Sequence, residues 1–198
     1  MHPDRLFPAD ADQRAVALRL YQQVAALPLV CPHGHVDPRL LVENQPFSDP
    51  ASLFVTPDHY VTRFLHADGV ALEDLGVGQG PLPEAAARGL WRRLCERWAI
   101  FAGTPVRWWL EAELTEIFGV TSRPSAETAN AIFDQVAERL AADGFRPRAL
   151  YKRFNISVLA TTAELCDDLS AHAALDGDPS WPGRGIPALR PDRYLEPG

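Results

Sequence analysis

Apolar positions recur at helical spacing from Asp10 to Leu27: Val16, Leu20, Val24 and Leu27 share a face, and Asp10 or Asp12 stands where a cap belongs. The pattern then changes to an apolar run, Leu27 to Cys31, which predicts a first strand. A long helical stretch follows. Ser48-Asp49-Pro50 and Thr56-Pro57 each set a capping residue before a proline at the first helical position, and the second predicts a helix through Leu65 that Gly69 ends. Further helices are predicted over Pro83 to Phe101, from Thr104-Pro105 to Gly119, and from a Ser125 cap to Asp143-Gly144. After Phe154 the period shortens. Ile156 to Thr161 predicts a buried strand, Glu164 to Leu175 a short helix, and Gly185 to Arg190 a strand weakened by Pro187.

Strand, helix, strand over this distance is a βαβ unit, hence parallel pairing with a right-handed crossover. The fold class expected is α/β, with segments 1–40 (first helix and strand), 41–154 (helical insertion) and 155–198 (second and third strands). Three parallel strands are fewer than such sheets normally have, so the chain is expected to be the N-terminal part of something longer.

Composition narrows the function. Twenty-six acidic against nineteen basic residues give a formal net charge of −7, which argues against a nucleic-acid surface. No stretch approaches the ~18 apolar residues of a membrane span. Cys31, Cys95 and Cys166 are odd in number and far apart, which fits buried thiols in a reducing compartment; a cytoplasmic location is expected.

The chemistry-bearing candidate is Cys31-Pro32-His33-Gly34-His35-Val36-Asp37-Pro38. Alternation along an extended strand end puts His33 and His35 on one face, where two imidazoles can grip one metal ion; two polar loop histidines is the competing reading. His59 and Tyr60, after Thr56-Pro57-Asp58, fall at a helix start, near the positive end of its dipole, a setting that suits proton transfer; a plain first turn with a buried Tyr is the alternative. Arg190, at a strand end in Arg190-Pro191-Asp192-Arg193, offers a fork for a carboxylate or phosphate, unless Asp192 merely pairs with either arginine. Trp91, Trp98, Trp108 and Trp109 are expected in the core rather than in a ligand box. Gly76 to Gly80 follows no strand and reads as a linker. Thr161 to Asp168 lines a site or caps the next helix, with capping favoured.

Taken together, Leu27–Pro38, Leu53–Arg63, Phe101–Leu110, Tyr151–Asp168 and Ile186–Asp192 resemble, in order, segments of the uronate (glucuronate) isomerases, outlying members of the metal-dependent amidohydrolase superfamily. The resemblance covers roughly the first two fifths of the family's length. It implies a partial (β/α)8 TIM barrel, about the first three strands, with a large helical insertion after the first. It further implies an intramolecular oxidoreductase: D-glucuronate to D-fructuronate and D-galacturonate to D-tagaturonate, in sugar-acid catabolism. His33 and His35 match the family's ligands for a divalent metal, usually Zn2+; His59 and Tyr60 match its catalytic pair; Arg190 matches a substrate-binding arginine. The small-molecule uronate is the implied partner, with neither nucleic acid nor membrane, and homo-oligomerisation of the full-length protein is left open. The third protein ligand, an aspartate, and a second substrate-binding arginine belong to family segments that have no counterpart here, so the isolated chain is expected to be inactive. A metal-dependent hydrolase of the same superfamily and a non-catalytic truncated remnant are the competing readings.

Overall fold

The computed structural model describes residues 4–195, which form two compact units. One is Pro46–Asp143; the other combines the stretch up to Gln45 with the stretch from Gly144 onward.

The second unit is built on a three-stranded parallel sheet of order β1-β2-β3: β1 (Leu29–Cys31), β2 (Ile156–Ala163) and β3 (Arg184–Leu189). Leu29 faces Ile156 and Cys31 faces Leu159; on the other side Val158 faces Arg184 and Ala163 faces Leu189. Pro187 fits because β3 is an edge strand among the described elements, and an edge tolerates a missing donor. Helix α1 (Ala11–Val24) precedes β1, with Asp10 accepting from the Gln13 N–H at 2.9 Å. The capping residue is the one expected, but the apolar face of α1 buries nothing: Leu20 is 62% exposed, and Val30 of β1 63%.

Two short helices on the sheet unit had no counterpart in the periodic pattern. Helix α2 (Pro38–Glu43) starts at an Asp37 cap with Pro38 in its first turn. Within Pro46–Asp143, helix α3 (Pro50–Phe54) follows the expected Asp49 cap, whose carboxylate accepts from Ser52 N–H at 2.8 Å. Helix α4 (His59–Ala67) starts later than the Thr56-Pro57 reading predicts. The physical reason is Asp58, whose carboxylate accepts from the N–H groups of Tyr60 and Val61, while Thr56 and Pro57 form a turn. Helices α5 (Glu84–Glu96), α6 (Pro105–Ala112, capped by Thr104) and α7 (Ala129–Leu140) complete this unit. A π-helical turn, Glu113–Ile117, extends α6 to Gly119, where φ is +70°. Its core holds Phe54, Leu65, Trp91, Leu94, Phe101, Leu110, Ile132 and Val136.

Back in the sheet unit, α8 (Pro147–Arg153) lies before β2 and α9 (Ser170–Asp176) between β2 and β3; α10 (Asp192–Leu195) follows. The helical unit is therefore narrower than 41–154. Arg148 explains why α2 and α8 belong with the sheet: its backbone N–H donates to Asn44 Oδ1, its Nε to the Leu41 carbonyl, and its Nη1 to Asp178 at 2.7 Å. Ser180 and Arg148 together hold the Asp178 carboxyl down to about 2. Leu41, Tyr151, Leu159, Leu175 and Trp181 form the core of this unit, with the Tyr151 and Trp181 rings 4.4 Å apart. Helix α9 begins six residues later than the Glu164 start predicted. The intervening turn is held by Asp167, which accepts from the Glu164 N–H, and by Asp168, which accepts from the Ser170 N–H. Among the described residues no helix is long and apolar enough to cross a membrane. Cys95 is buried, and burial pushes its thiol up to about 12, whereas Cys166 is exposed.

Candidate functional site

Strand β1 ends at Cys31, so His33 and His35 lie past it rather than on it. They meet all the same: their Nε2 atoms are 3.3 Å apart and the rings stand edge to face, centroids 4.9 Å apart. The loop that carries them is laced to β2, because the Thr162 N–H donates to the Gly34 carbonyl at 3.0 Å and continues the parallel ladder beyond β1. A Cβ on Gly34 would sit 3.3 Å from the Ala160 carbonyl oxygen, so this close approach suits glycine. Two nitrogens bound to one ion at about 2.0–2.1 Å and a tetrahedral angle lie about 3.3–3.4 Å apart. The spacing of the pair therefore fits a divalent ion held from one side. Among the described residues, no group of three or more His, Cys, Asp or Glu side chains is placed to hold a metal.

Beside His35 opens a cavity of about 440 Å³, lined among others by Asp37, Arg39, Thr162, Asp168 and His172. Asp37 both caps α2 and pairs with Arg39, and the Arg39 hydrogen bonds hold its carboxyl below the ordinary range. His172, buried on α9, shares a 2.7 Å hydrogen bond between Nε2 and Thr161 Oγ1, while its Nδ1 has no hydrogen-bond partner among the described residues. The Thr161–Asp168 segment thus does both things weighed for it: Asp168 serves the start of α9, and Thr162 and Asp168 line the cavity. Arg190 follows β3 directly, its N–H donating to the Ala163 carbonyl at 2.8 Å. His33, His35 and Arg190 thus all follow the carboxyl ends of parallel strands. The alternative pairing of Asp192 with an arginine falls on side chains outside those described.

His59 and Tyr60 belong to the helical unit, as the first two residues of α4. Their rings lie 4.1 Å apart, tilted by 34°. Trp109 meets Tyr60 edge-on at 5.6 Å, and the Arg63 guanidinium lies 5.6 Å from the Tyr60 ring centre. Trp91 and Trp98 are core residues as expected, but Trp109 backs Tyr60 and Trp108 is exposed.

Sequence reasoning missed Glu113, on the π-helical turn. Burial, with a smaller push from the Asp58 carboxylate, raises its carboxyl from 4.5 to about 7. The one signal available was an acidic residue closely following Trp108-Trp109-Leu110. The folded chain keeps a proton that the unfolded chain releases. Glu113 therefore contributes most below pH 4.5, and that contribution is lost as pH rises through about 7. Glu113→Gln should match wild type at about pH 4 and be more stable at about pH 8, by up to about 3 kcal/mol, read from urea midpoints. Equal stability at the higher pH would refute the assignment.

The fold defines an α/β protein with a three-stranded parallel sheet whose polar groups gather past the strands' carboxyl ends. A family model described as glucuronate isomerase matches residues 11–196, and the chain belongs to that family. It is 50% identical over 194 residues to a uronate isomerase of Cutibacterium acnes, covering 98% of this chain and 41% of that protein. It is 47% identical over 197 residues to one from Rhizobium meliloti, at 98% and 42%. A crystal structure of glucuronate isomerase from Caulobacter crescentus superposes with a TM-score of 0.91 at 41% identity, covering 98% of this chain and 41% of that one. The uronate isomerase structure from Thermotoga maritima gives 0.80 at 27% identity, covering 92% and 38%. The chain thus spans about two fifths of the length of the relatives it matches.

Proposed function

We propose that this chain carries part of a uronate isomerase, an intramolecular oxidoreductase that interconverts D-glucuronate and D-fructuronate, and D-galacturonate and D-tagaturonate, in sugar-acid catabolism in the cytoplasm. The observation that supports this most is the family match over residues 11–196, which takes in His33, His35, His59, Tyr60 and Arg190. On this reading β1, β2 and β3 are the first strands of a (β/α)8 barrel of the amidohydrolase type, with Pro46–Asp143 inserted after β1. The parallel order and the polar groups past the strands' carboxyl ends favour it.

Aldose–ketose isomerisation moves a proton between C2 and C1 through a cis-enediol, which needs a proton shuttle and stabilisation of the charge that develops on oxygen. With its own proton passed to the His59 ring, the Tyr60 oxygen is the shuttle, taking the C2 proton and returning it to C1 while the O2 hydroxyl proton moves to O1. The His59 ring beside it orients Tyr60 and shares the proton. Arg190 pairs through its guanidinium fork with the substrate carboxylate. His33 and His35 would hold a divalent ion, and the chemistry it would supply when bound, as Zn2+, is polarisation of the sugar oxygens. A small uronate is the partner.

The test is a chimera in which this chain replaces the matching two fifths of the Caulobacter crescentus enzyme. It is expected to convert D-glucuronate, and Tyr60→Phe in it to lose about 10²-fold or more in kcat. A folded, zinc-loaded chimera without isomerisation, or one indifferent to Tyr60→Phe, would discard the reading.

A further inference from the structure

Thr161 and Thr162 are neighbours on β2, and alternation sends their side chains to opposite faces. Thr161 is buried and bonded to His172 of α9. Thr162 turns the other way, and its Oγ1 lies 3.4 Å from Nδ1 of His35. Its backbone N–H meanwhile holds Gly34, between the two histidines. One residue thus grips both the loop backbone and the far nitrogen of one imidazole.

A neutral imidazole has one N–H and one lone pair, and only the lone-pair nitrogen can bind a metal. We propose that Thr162 is a positioning residue for the histidine pair: its hydroxyl oxygen accepts the Nδ1–H of His35 and holds that ring in the tautomer whose Nε2 lone pair faces His33. This rests on the reading of His33 and His35 as metal ligands. In the metal-free chain the 3.3 Å contact is then His33 Nε2–H donating to His35 Nε2. Only the His33 ring has to exchange tautomer for both Nε2 atoms to point at one ion. The β2 hydroxyl presets the other half of the site, as the outer partners of metal-bound histidines do.

The experiment uses the 198-residue chain. Long-range 15N–1H spectra of the imidazoles are recorded without metal at about pH 8, where an ordinary imidazole is neutral. Zn2+ titrations follow on wild type, Thr162→Val and Thr162→Ser. Expected are an Nδ1–H tautomer for His35 in wild type and in Thr162→Ser, a shift toward Nε2–H in Thr162→Val, and about 10-fold weaker Zn2+ binding in Thr162→Val alone. An Nε2–H tautomer in wild type overturns the proposal even if Thr162→Val does not fold. So does a Thr162→Val chain with unchanged tautomer and affinity. Should wild type and His33→Ala fail alike to take up Zn2+, the metal reading falls, and the tautomer of His35 by itself decides the role of Thr162.

Discussion

Supplied with Zn2+ and D-glucuronate, the purified 198-residue chain is expected to form no D-fructuronate above a protein-free control. Catalytic zinc sites ordinarily combine three protein ligands with an open position. This chain brings two imidazoles within bite distance, and among the described residues no third His, Cys, Asp or Glu joins a metal-holding group. The family resemblance implies an aspartate as the third ligand and a second arginine for the substrate, both in segments without a counterpart here. The chain spans 41% of its Caulobacter crescentus relative. On the proposed reading, a two-ligand site on an exposed loop would neither hold the ion firmly nor exclude water, and would not supply the stabilisation of developing charge that isomerisation needs. Turnover that co-elutes with the chain on gel filtration and vanishes in His33→Ala would overturn this expectation.

The second large effect concerns stability. Trp91→Ala should cost about 3–5 kcal/mol. The Trp91 side chain is 1% exposed on α5, and its Nε1–H donates to the Ala129 carbonyl at the start of α7, at 3.1 Å. The Phe54 ring lies 5.9 Å away, tilted by 53°. Truncation removes the largest fully buried side chain of the helical unit, leaves a cavity, and strips the Ala129 carbonyl of its side-chain donor. Since whole domains are stable by only about 5–15 kcal/mol, the loss should show as a large fall in the urea midpoint. Trp91→Phe, which keeps most of the volume but not the donor, should fall between the two. A Trp91→Ala midpoint equal to that of wild type would refute the packing argument.

How far the fold was legible follows from the range of each signal. Asp10, Asp49 and Thr104 were readable as caps because a cap acts within one helical turn. At α4 the same rule misplaced the start: Asp58 competes with Thr56 and, as the better-placed acceptor, captures two N–H groups. Helices α2 and α8 went unread because each is too short for a periodic stripe. What holds them is Arg148, reaching residues more than a hundred positions earlier. The amphipathic face of α1 is legible as a pattern, yet burial does not follow within this chain.

The His-Gly-His element marks the difference most clearly. The residue types, the intervening glycine and the preceding apolar strand are local properties, and by themselves they determined that two histidines one residue apart follow a strand end. Alternation along the strand is not what pairs them, because β1 stops at Cys31. What brings the two Nε2 atoms to 3.3 Å is the lacing of the loop onto β2 through Gly34 and Thr162, residues 128 positions apart. Only the tertiary structure decided that geometry, and with it the place of Thr162 behind His35. A hydrogen bond across a parallel sheet joins chain segments whose separation in sequence carries no local trace.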